Sequence, residues 1–90
     1  MNRKILRAVD GDTLQTRRKI SGTNYIRLAG VNAPERGQRG YTSAKDRLDY
    51  LTKGRVATIV PKARDRYGRI VADVRVHRKK INSPTKYGGW

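Results

Sequence analysis

One stretch of helical periodicity, in a chain otherwise patterned as strands, restricts the fold more than any other feature. The spacing of three and four residues is that of one buried helical face, and the residues that repeat are Tyr41, Ala44, Leu48 and Leu51. Ser43 with Asp46 resembles a capping box, and Gly54 after Lys53 suits the end of a helix. The pattern predicts one helix whose apolar stripe lies in the core.

Five segments have the composition and alternation of strands. Residues 4–9, 14–18 and 25–31 come before the helix, and residues 55–62 and 69–77 come after it. The sequences Asp10-Gly11-Asp12-Thr13 and Asp65-Arg66-Tyr67-Gly68 are typical of tight turns, and residues 17–24 form a polar hairpin loop. Pro61 is expected at the edge or the end of its strand. The last strand is predicted to bury alternate residues, namely Ile70, Ala72, Val74 and Val76.

The order of these elements predicts the architecture. Three strands, one helix and two strands match a mainly β, five-stranded Greek-key OB-fold barrel, with the helix plugging one end between strands three and four. Ninety residues make a single domain. We expect residues 1–82 to form this domain and residues 83–90 to be an irregular tail, unless Tyr87 and Trp90 dock on the barrel.

The stretch from Ile26 to Glu35 is difficult to explain by packing alone. Its apolar strand is expected to carry Arg27 into the interior, and it ends at Pro34 beside the only glutamate of the chain. The chain has 22 Lys and Arg against 7 Asp and Glu, a formal charge of +15, which predicts a nucleic-acid partner and salt-sensitive binding. The few acids that fall at turns or strand ends, where a simple phosphate binder gains nothing from them, are Asp10, Asp12, Glu35 and Asp65.

Several classes of protein are excluded by what the sequence lacks. Without cysteine there is neither a disulfide framework nor a thiolate zinc site. The single histidine, His77, has no second histidine with which to bind a metal, and we expect it at the surface. The oxygen donors that remain suit calcium or magnesium better than zinc. No segment has the length of a membrane span or the pattern of a signal peptide, so we expect no membrane partner. The sequence leaves the compartment undetermined, with the cytoplasm as the default.

Three segments together resemble the staphylococcal nuclease (thermonuclease) family. They are Val9-Asp10-Gly11-Asp12-Thr13, the stretch from Ile26-Arg27-Leu28 to Asn32-Ala33-Pro34-Glu35, and Asp65-Arg66-Tyr67-Gly68-Arg69. They stand in the order of the family, with the helix between the second and third. The resemblance covers residues 4 to about 82. It implies a calcium-dependent phosphodiesterase, an endonuclease that hydrolyses DNA and possibly RNA to products with a 5′-hydroxyl and a 3′-phosphate.

The resemblance also implies a metal site. By position, Asp12 and Asn32 are side-chain ligands, Ala33 is a ligand through its backbone carbonyl, and Asp10 lies behind them. The expected cofactor is one Ca²⁺ ion, with Mg²⁺ as a weak substitute. Asn32 stands where the family usually has aspartate, so one ligand is neutral and weaker metal binding is expected.

The same resemblance assigns the catalytic roles. Glu35 orients or deprotonates the attacking water, and Arg27 and Arg69 grip the scissile phosphate. Arginine suits this role because its planar fork matches phosphate oxygens in a bidentate way. Further nucleic-acid contacts are expected from Arg36, Arg39, Arg66 and Tyr67. Single-stranded DNA is the favoured partner, RNA is a second one, and the protein is expected to be a monomer.

The sequence departs from the family after Ile81-Asn82. There the chain passes to Ser83-Pro84 and a short glycine-rich tail, whereas family members usually continue into a helix that covers the barrel. We therefore expect that helix to be absent. Its absence would expose apolar barrel surface, unless Tyr87 and Trp90 or a second copy of the chain covers it.

Each of these elements also has a simpler explanation. The aspartates around Gly11 are also explained as turn residues, and Arg27 as an edge residue with its charge in solvent. Glu35 could pair with Arg36 or Arg39, Arg69 could be the first exposed residue of a strand, and Tyr67 could be buried in its turn. The alternative function is then a non-catalytic basic OB-fold protein that binds nucleic acid. A binder has no use for Glu35 beside phosphate, so the sequence favours the nuclease.

Overall fold

The structure, a computed structural model, describes residues 1–76 and 79–81. The elements are, in order, β1 (Asn2–Asp10), β2 (Thr13–Ile20), β3 (Thr23–Leu28), α1 (Tyr41–Thr52), β4 (Val56–Arg64), β5 (Ile70–Val76) and the short β6 (Lys79–Lys80). Residues 77–78, which include His77, and residues 82–90 lie outside the described residues. The predictions about the tail, including Tyr87, Trp90 and the missing covering helix, therefore stay predictions.

The strands form a closed barrel. They follow one another in the order β3-β2-β1-β4-β5-β6, and an additional pairing between β3 and β5 closes the sheet. The contacts β1–β2, β2–β3, β1–β4 and β4–β5 are antiparallel, whereas β3 and β5 run parallel, with Arg27 opposite Val71. A five-stranded barrel with the helix between its third and fourth strands confirms the predicted OB-fold.

The core is filled from every strand of the barrel and from one face of α1. The residues that are fully shielded from solvent include Ile5, Leu14, Ile26, Leu28, Leu48, Ile59 and Val74. The alternation predicted for the last strand is confirmed, because Ile70, Ala72, Val74 and Val76 are all buried. On the helix, Ala44 and Leu48 are buried and Leu51 packs at the margin of the core. α1 has 12 residues and is the only helix in the described part of the chain; it is too short and too polar to cross a membrane.

The start of α1 differs from its prediction. The helix begins at Tyr41, with Gly40 as its N-cap at φ 88° and no capping side chain, so Ser43 lies inside the first turn and the predicted capping box is wrong. At the other end, the N–H of Lys53 donates to the carbonyl of Asp49, and Gly54 follows with φ 75°, as its sequence position predicted. The helix is thus flanked on each side by a residue with a left-handed backbone conformation. L side chains rarely adopt this conformation, which explains why both positions are glycine.

Pro61 does not end β4. The strand continues to Arg64, Pro61 lies opposite Ala72 of β5, and the register shifts between Pro61 and Ala63. The pairing of β4 with β1 extends only from Val56 to Thr58, so Pro61 lies beyond it. Proline lacks an N–H, and a strand accommodates it where one side has no ladder partner or at a bulge.

Candidate active site

A polar cleft of about 440 Å³ opens where the β1–β2 turn, the loop after β3 and the start of β5 meet. Its lining includes the three residues predicted to be catalytic and three of the four predicted around the metal. The lining residues are Asp10, Asp12, Arg27, Ala33, Pro34, Glu35, Arg36 and Arg69. Folding thus brings residues from three separate segments of the sequence to one place.

Strand pairing explains why the two arginines share this cleft. Successive strand residues face opposite sides, so Arg27 points away from the core that holds its neighbours Ile26 and Leu28. In the parallel pairing, Arg27 lies opposite Val71, and Arg69 precedes Val71 by two residues on the same side. The expectation that Arg27 enters the interior is wrong, since its side chain lies at the surface of the cleft and is 22% exposed.

Gly11 allows the acidic turn to reach the cleft. A Cβ added at Gly11 would lie 2.7 Å from the Cβ of Ala33 and 2.8 Å from the Cβ of Ala44. The turn, the loop after β3 and α1 therefore pack at a distance that only glycine permits. The backbone of Asp12 is fixed as well, because its carbonyl accepts the N–H of Leu28 at 2.8 Å.

Asp12 lies between the two arginines. Nη2 of Arg27 is 3.5 Å from Asp12 Oδ2. On the other side, Arg69 Nη1 donates to Thr13 Oγ1 at 3.2 Å, and the Thr13 hydroxyl donates to Asp12 Oδ1 at 2.9 Å. Thr13 is 2% exposed, so this connection is largely shielded from solvent. Sequence reasoning did not assign Thr13 to the site, because a threonine after a turn is typical of any strand.

Asp65 orients Arg69. Asp65 Oδ2 accepts the Nε–H of Arg69 at 2.7 Å, and Asp65 Oδ1 accepts the backbone N–H groups of Arg69 at 3.0 Å and Tyr67 at 2.9 Å. Burial by itself would raise the pKa of Asp65. The hydrogen bonds from Arg69 and Tyr67 and the charge of Arg69 outweigh that effect and lower the pKa below its ordinary 3.8. The sequence analysis did not predict this pair, although the two residues lie only four positions apart.

Glu35 is held by its backbone and leaves its carboxylate free. Its N–H donates to Gln38 Oε1 at 2.7 Å, and its carbonyl accepts the N–H of Gln38 at 2.9 Å. No side chain among the described residues forms an ion pair or hydrogen bond with the carboxylate. The alternative that Glu35 pairs with Arg36 or Arg39 is therefore wrong. Arg36 lines the cleft, whereas Arg39 is exposed in the loop and does not line it.

Asp10 is oriented by a residue that the sequence placed in the core. Tyr41, at the start of α1, is only half buried, and its hydroxyl donates to Asp10 Oδ1 at 2.7 Å. The same hydroxyl lies 3.4 Å from the carbonyl of Val9. The helical pattern did not predict this contact. It places Tyr41 on the apolar face because of the aromatic ring, whereas the hydroxyl group makes the contact with Asp10.

The donors at the cleft suit a hard cation. In the described part of the chain no three His, Asp or Glu side chains are grouped closely enough to hold a metal by themselves. The carboxylates of Asp10 and Asp12 nevertheless line the cleft together with Ala33, and Ca²⁺ accepts carboxylate and carbonyl oxygens. Asn32 lines the neighbouring cavity instead, and its Oδ1 accepts from Arg27 Nη2 at 3.5 Å. Its role as a ligand stays a prediction.

The neighbouring cavity, of about 340 Å³, lies on the other side of Arg27 and Arg69. Tyr67 lines it and is 69% exposed, so the interpretation that this tyrosine is buried in its turn is wrong. The guanidinium groups of Arg66 and Arg69 lie 5.0 and 5.4 Å from the centre of the Tyr67 ring. Arg66 Nη2 also donates to the Tyr67 hydroxyl at 2.8 Å. The turn therefore presents an aromatic ring and two cations beside the cleft.

Comparison with known protein families identifies the family of this chain. The family model described as staphylococcal nuclease homologue matches residues 25–85, more than half of the chain. The chain belongs to this family. The match includes Arg27, Glu35 and Arg69, and membership confirms the resemblance drawn from the three sequence segments.

Three curated relatives have names that fit the family. An uncharacterized endonuclease of Escherichia coli is 34% identical over 71 residues, which are 79% of this chain and 46% of that protein. An uncharacterized endonuclease of Haemophilus influenzae is 32% identical over 79 residues, 88% of this chain and 44% of that protein. A micrococcal nuclease of Shigella flexneri is 37% identical over 71 residues, 79% of this chain and 40% of that protein. The chain spans less than half the length of these relatives.

Proposed function

We propose that this protein is a metal-dependent nuclease that hydrolyses phosphodiester bonds in DNA and RNA. The observation that carries the proposal is a single cleft that combines two guanidinium groups with the unpartnered carboxylate of Glu35. A site that only bound phosphate would gain nothing from this carboxylate, because it repels the anion. Membership of the staphylococcal nuclease homologue family and the names of the relatives support the same activity.

In the proposed reaction, Glu35 acts on the attacking water. Its carboxylate accepts a proton from a water molecule in the cleft, and the water oxygen attacks the phosphorus of the scissile phosphodiester. The bond between phosphorus and O5′ breaks, and O5′ leaves as a hydroxyl after taking up a proton from solvent water, while Glu35 returns its proton to solvent. The products carry a 3′-phosphate and a 5′-hydroxyl.

Arg27 and Arg69 neutralise the charge that grows on the phosphate oxygens during this attack. Both side chains are already oriented by the protein, Arg69 by Asp65 and Thr13, and Arg27 by the carbonyl of Leu28, to which its Nη1 donates at 2.6 Å. The two arginine side chains therefore lose little conformational entropy when the phosphate binds. More of the free energy of their interaction with the phosphate is then available to stabilise the transition state.

Calcium is the proposed cofactor, with magnesium as a weak substitute. Asp12 and the carbonyl of Ala33 would hold the ion, with Asn32 as a further ligand and Asp10 behind them. When bound, the ion supplies positive charge beside the phosphate and favours ionisation of the water. The protein is proposed to act as a monomer.

The test compares the protein with its Glu35→Gln variant on single-stranded DNA, duplex DNA and RNA. We expect the parent to cleave when calcium is added and to stop when a chelator is added, and single-stranded DNA to be cleaved fastest. The variant keeps the shape of Glu35 without its basicity, so its rate should fall by about 100-fold or more. Absence of cleavage by the parent would refute the proposed nuclease activity. Cleavage that continues after the chelator is added would refute the proposed dependence on a metal ion.

A further inference from the structure

A second basic cavity lies at the other end of the β1–β2 pair, away from the cleft. It measures about 320 Å³ and is lined by Asn2, Arg3, Lys4, Arg17, Arg18 and Val56. We call this set of residues the basic groove. It shares no residue with the cleft, and no role in the proposed hydrolysis involves it.

The positive charge of the basic groove is not compensated. Its lining contains four cations and no carboxylate, and the sequence has no Asp or Glu in residues 1–9 or 13–34. Lys4, Arg17 and Arg18 are exposed and form no ion pair with any described residue. Among the described residues, Nη1 of Arg3 donates only to the carbonyl of Asn2, and its buried Nε has no partner. Clustered cations repel one another, which is electrostatically unfavourable. A bound polyanion neutralises the charges and removes this repulsion.

We propose that the basic groove binds the phosphate backbone of the nucleic acid at a distance from the bond that is cut. This inference depends on the proposed function only for the identity of the polymer. Asp10 follows Lys4 by six positions along β1, which is about 20 Å at about 3.3 Å per residue. That distance equals about six steps of one strand of B-form DNA. The groove therefore anchors a polymer rather than a short product.

The surface between the basic groove and the cleft is suited to a bound strand. On the outer face, Gln15 lies opposite Arg7 of β1 and Tyr25 of β3, and Arg7 Nε donates to Gln15 Oε1 at 3.0 Å. Tyr25 is 38% exposed and lines a further cavity with Val9 and Arg69, directly beside the cleft. Within β1, no carboxylate precedes Asp10. Asp49 of α1 also approaches β1, where its Oδ1 accepts the N–H of Ala8 at 2.7 Å. Asp10 lines the cavity beside the cleft, so a negatively charged chain on this path meets like charge where it enters the cleft.

Two double variants test the proposal. Arg17→Gln with Arg18→Gln removes two charges from the basic groove. Lys45→Gln with Lys62→Gln removes two charges from α1 and from the distal part of β4 and serves as the control. The control also removes the ion pair between Lys62 and Asp73, at 3.3 Å, so it is compared through the difference between long and short oligonucleotides. Binding of fluorescent single-stranded DNA is measured by anisotropy with chelator present, over a series of salt concentrations, so that cleavage does not interfere.

The groove variant should weaken binding of oligonucleotides longer than about 20 nucleotides and lower the magnitude of the salt slope by about 1.4, for two lost contacts on a single strand. Oligonucleotides shorter than about five nucleotides should bind as they do to the parent, because they do not extend from the cleft to the groove. In cleavage assays with calcium, KM for the long substrate should rise while kcat stays the same. In the control variant, the difference in binding between long and short oligonucleotides should be the same as in the parent.

Equal effects of the two double variants, or equal effects on long and short oligonucleotides, would overturn the proposal. It would also be overturned if DNA binding were unchanged while binding to vesicles containing anionic lipid was lost. If the parent does not cleave but the length-dependent binding difference is present, the groove assignment holds and the nuclease proposal fails. If the groove variant does not fold by circular dichroism, Lys4→Gln provides the same comparison with one charge.

Discussion

Asp65 Oδ2 accepts the Nε–H of Arg69 at 2.7 Å, while Asp65 Oδ1 accepts the backbone N–H of the same arginine at 3.0 Å. The carboxylate thus holds both ends of the residue, its main chain and its guanidinium. Both side chains are largely shielded, with 20% and 28% of their surface exposed, so the pair is less screened by salt than a surface ion pair. The arginine is consequently fixed beside the cleft before any phosphate arrives.

Arg69→Lys should lower the rate of phosphodiester hydrolysis by about 100-fold, because an ammonium cannot reproduce the contact with Asp65 and a bidentate phosphate contact together. The measurement is kcat/KM on single-stranded DNA with saturating calcium. Lys45→Ala on α1 is the control, since it removes a positive charge from a residue that does not line the cleft. If the two variants lose the same activity, Arg69 acts only through its charge.

Asp65→Asn should remove a pH-dependent contribution to the free energy of unfolding. The pKa of Asp65 is below its ordinary 3.8 in the folded protein, so its contribution is fully present above that value. The contribution is lost as pH falls through the lowered pKa, because the unfolded state then binds more protons. The urea midpoints of parent and variant should therefore differ most at neutral pH and converge in acid. A difference that is the same at every pH would contradict this reasoning.

Gly11→Ala should destabilise the fold by about 1–3 kcal/mol, because the new methyl group overlaps with Ala33 and Ala44. Neither contact can move aside easily, since each is a Cβ attached directly to the backbone. Activity should fall as well, because the turn carries Asp10 and Asp12. Urea unfolding measures the first effect and DNA cleavage the second. Adding Ala33→Gly should restore part of the stability by removing the 2.7 Å contact, and a double variant no more stable than the single one would show that the overlap is not the cause.

Asn32→Asp should tighten calcium binding, because a charged oxygen replaces a neutral one at a predicted ligand position. The new carboxylate would also lie close to Arg27, whose Nη2 is 3.5 Å from Asn32 Oδ1. Isothermal titration calorimetry without nucleic acid measures the affinity directly. An unchanged affinity would remove Asn32 from the ligands, in agreement with its place along the neighbouring cavity.

Much of the architecture was predictable because it depends on local patterns. Helical spacing predicted α1, alternation predicted the buried face of β5, and the order of strands and helix predicted the barrel. A prediction was wrong where one sequence pattern is compatible with two local structures. The predicted capping box failed because Gly40 provides a left-handed start at Tyr41. Pro61 lies at an edge position of β4, beyond its pairing with β1, which is one of the two places predicted for it.

By itself, the sequence determined the family, the barrel and the residues that could do chemistry, since composition, spacing and turn residues act over a few positions. Tertiary structure decided which way those residues face and what surrounds them. Arg27 turns outward because β3 alternates in a barrel whose inner side is fully occupied. Glu35 stays free because no cation of its loop reaches it. The basic groove exists because antiparallel pairing of β1 with β2 joins cations that are more than ten positions apart in the chain.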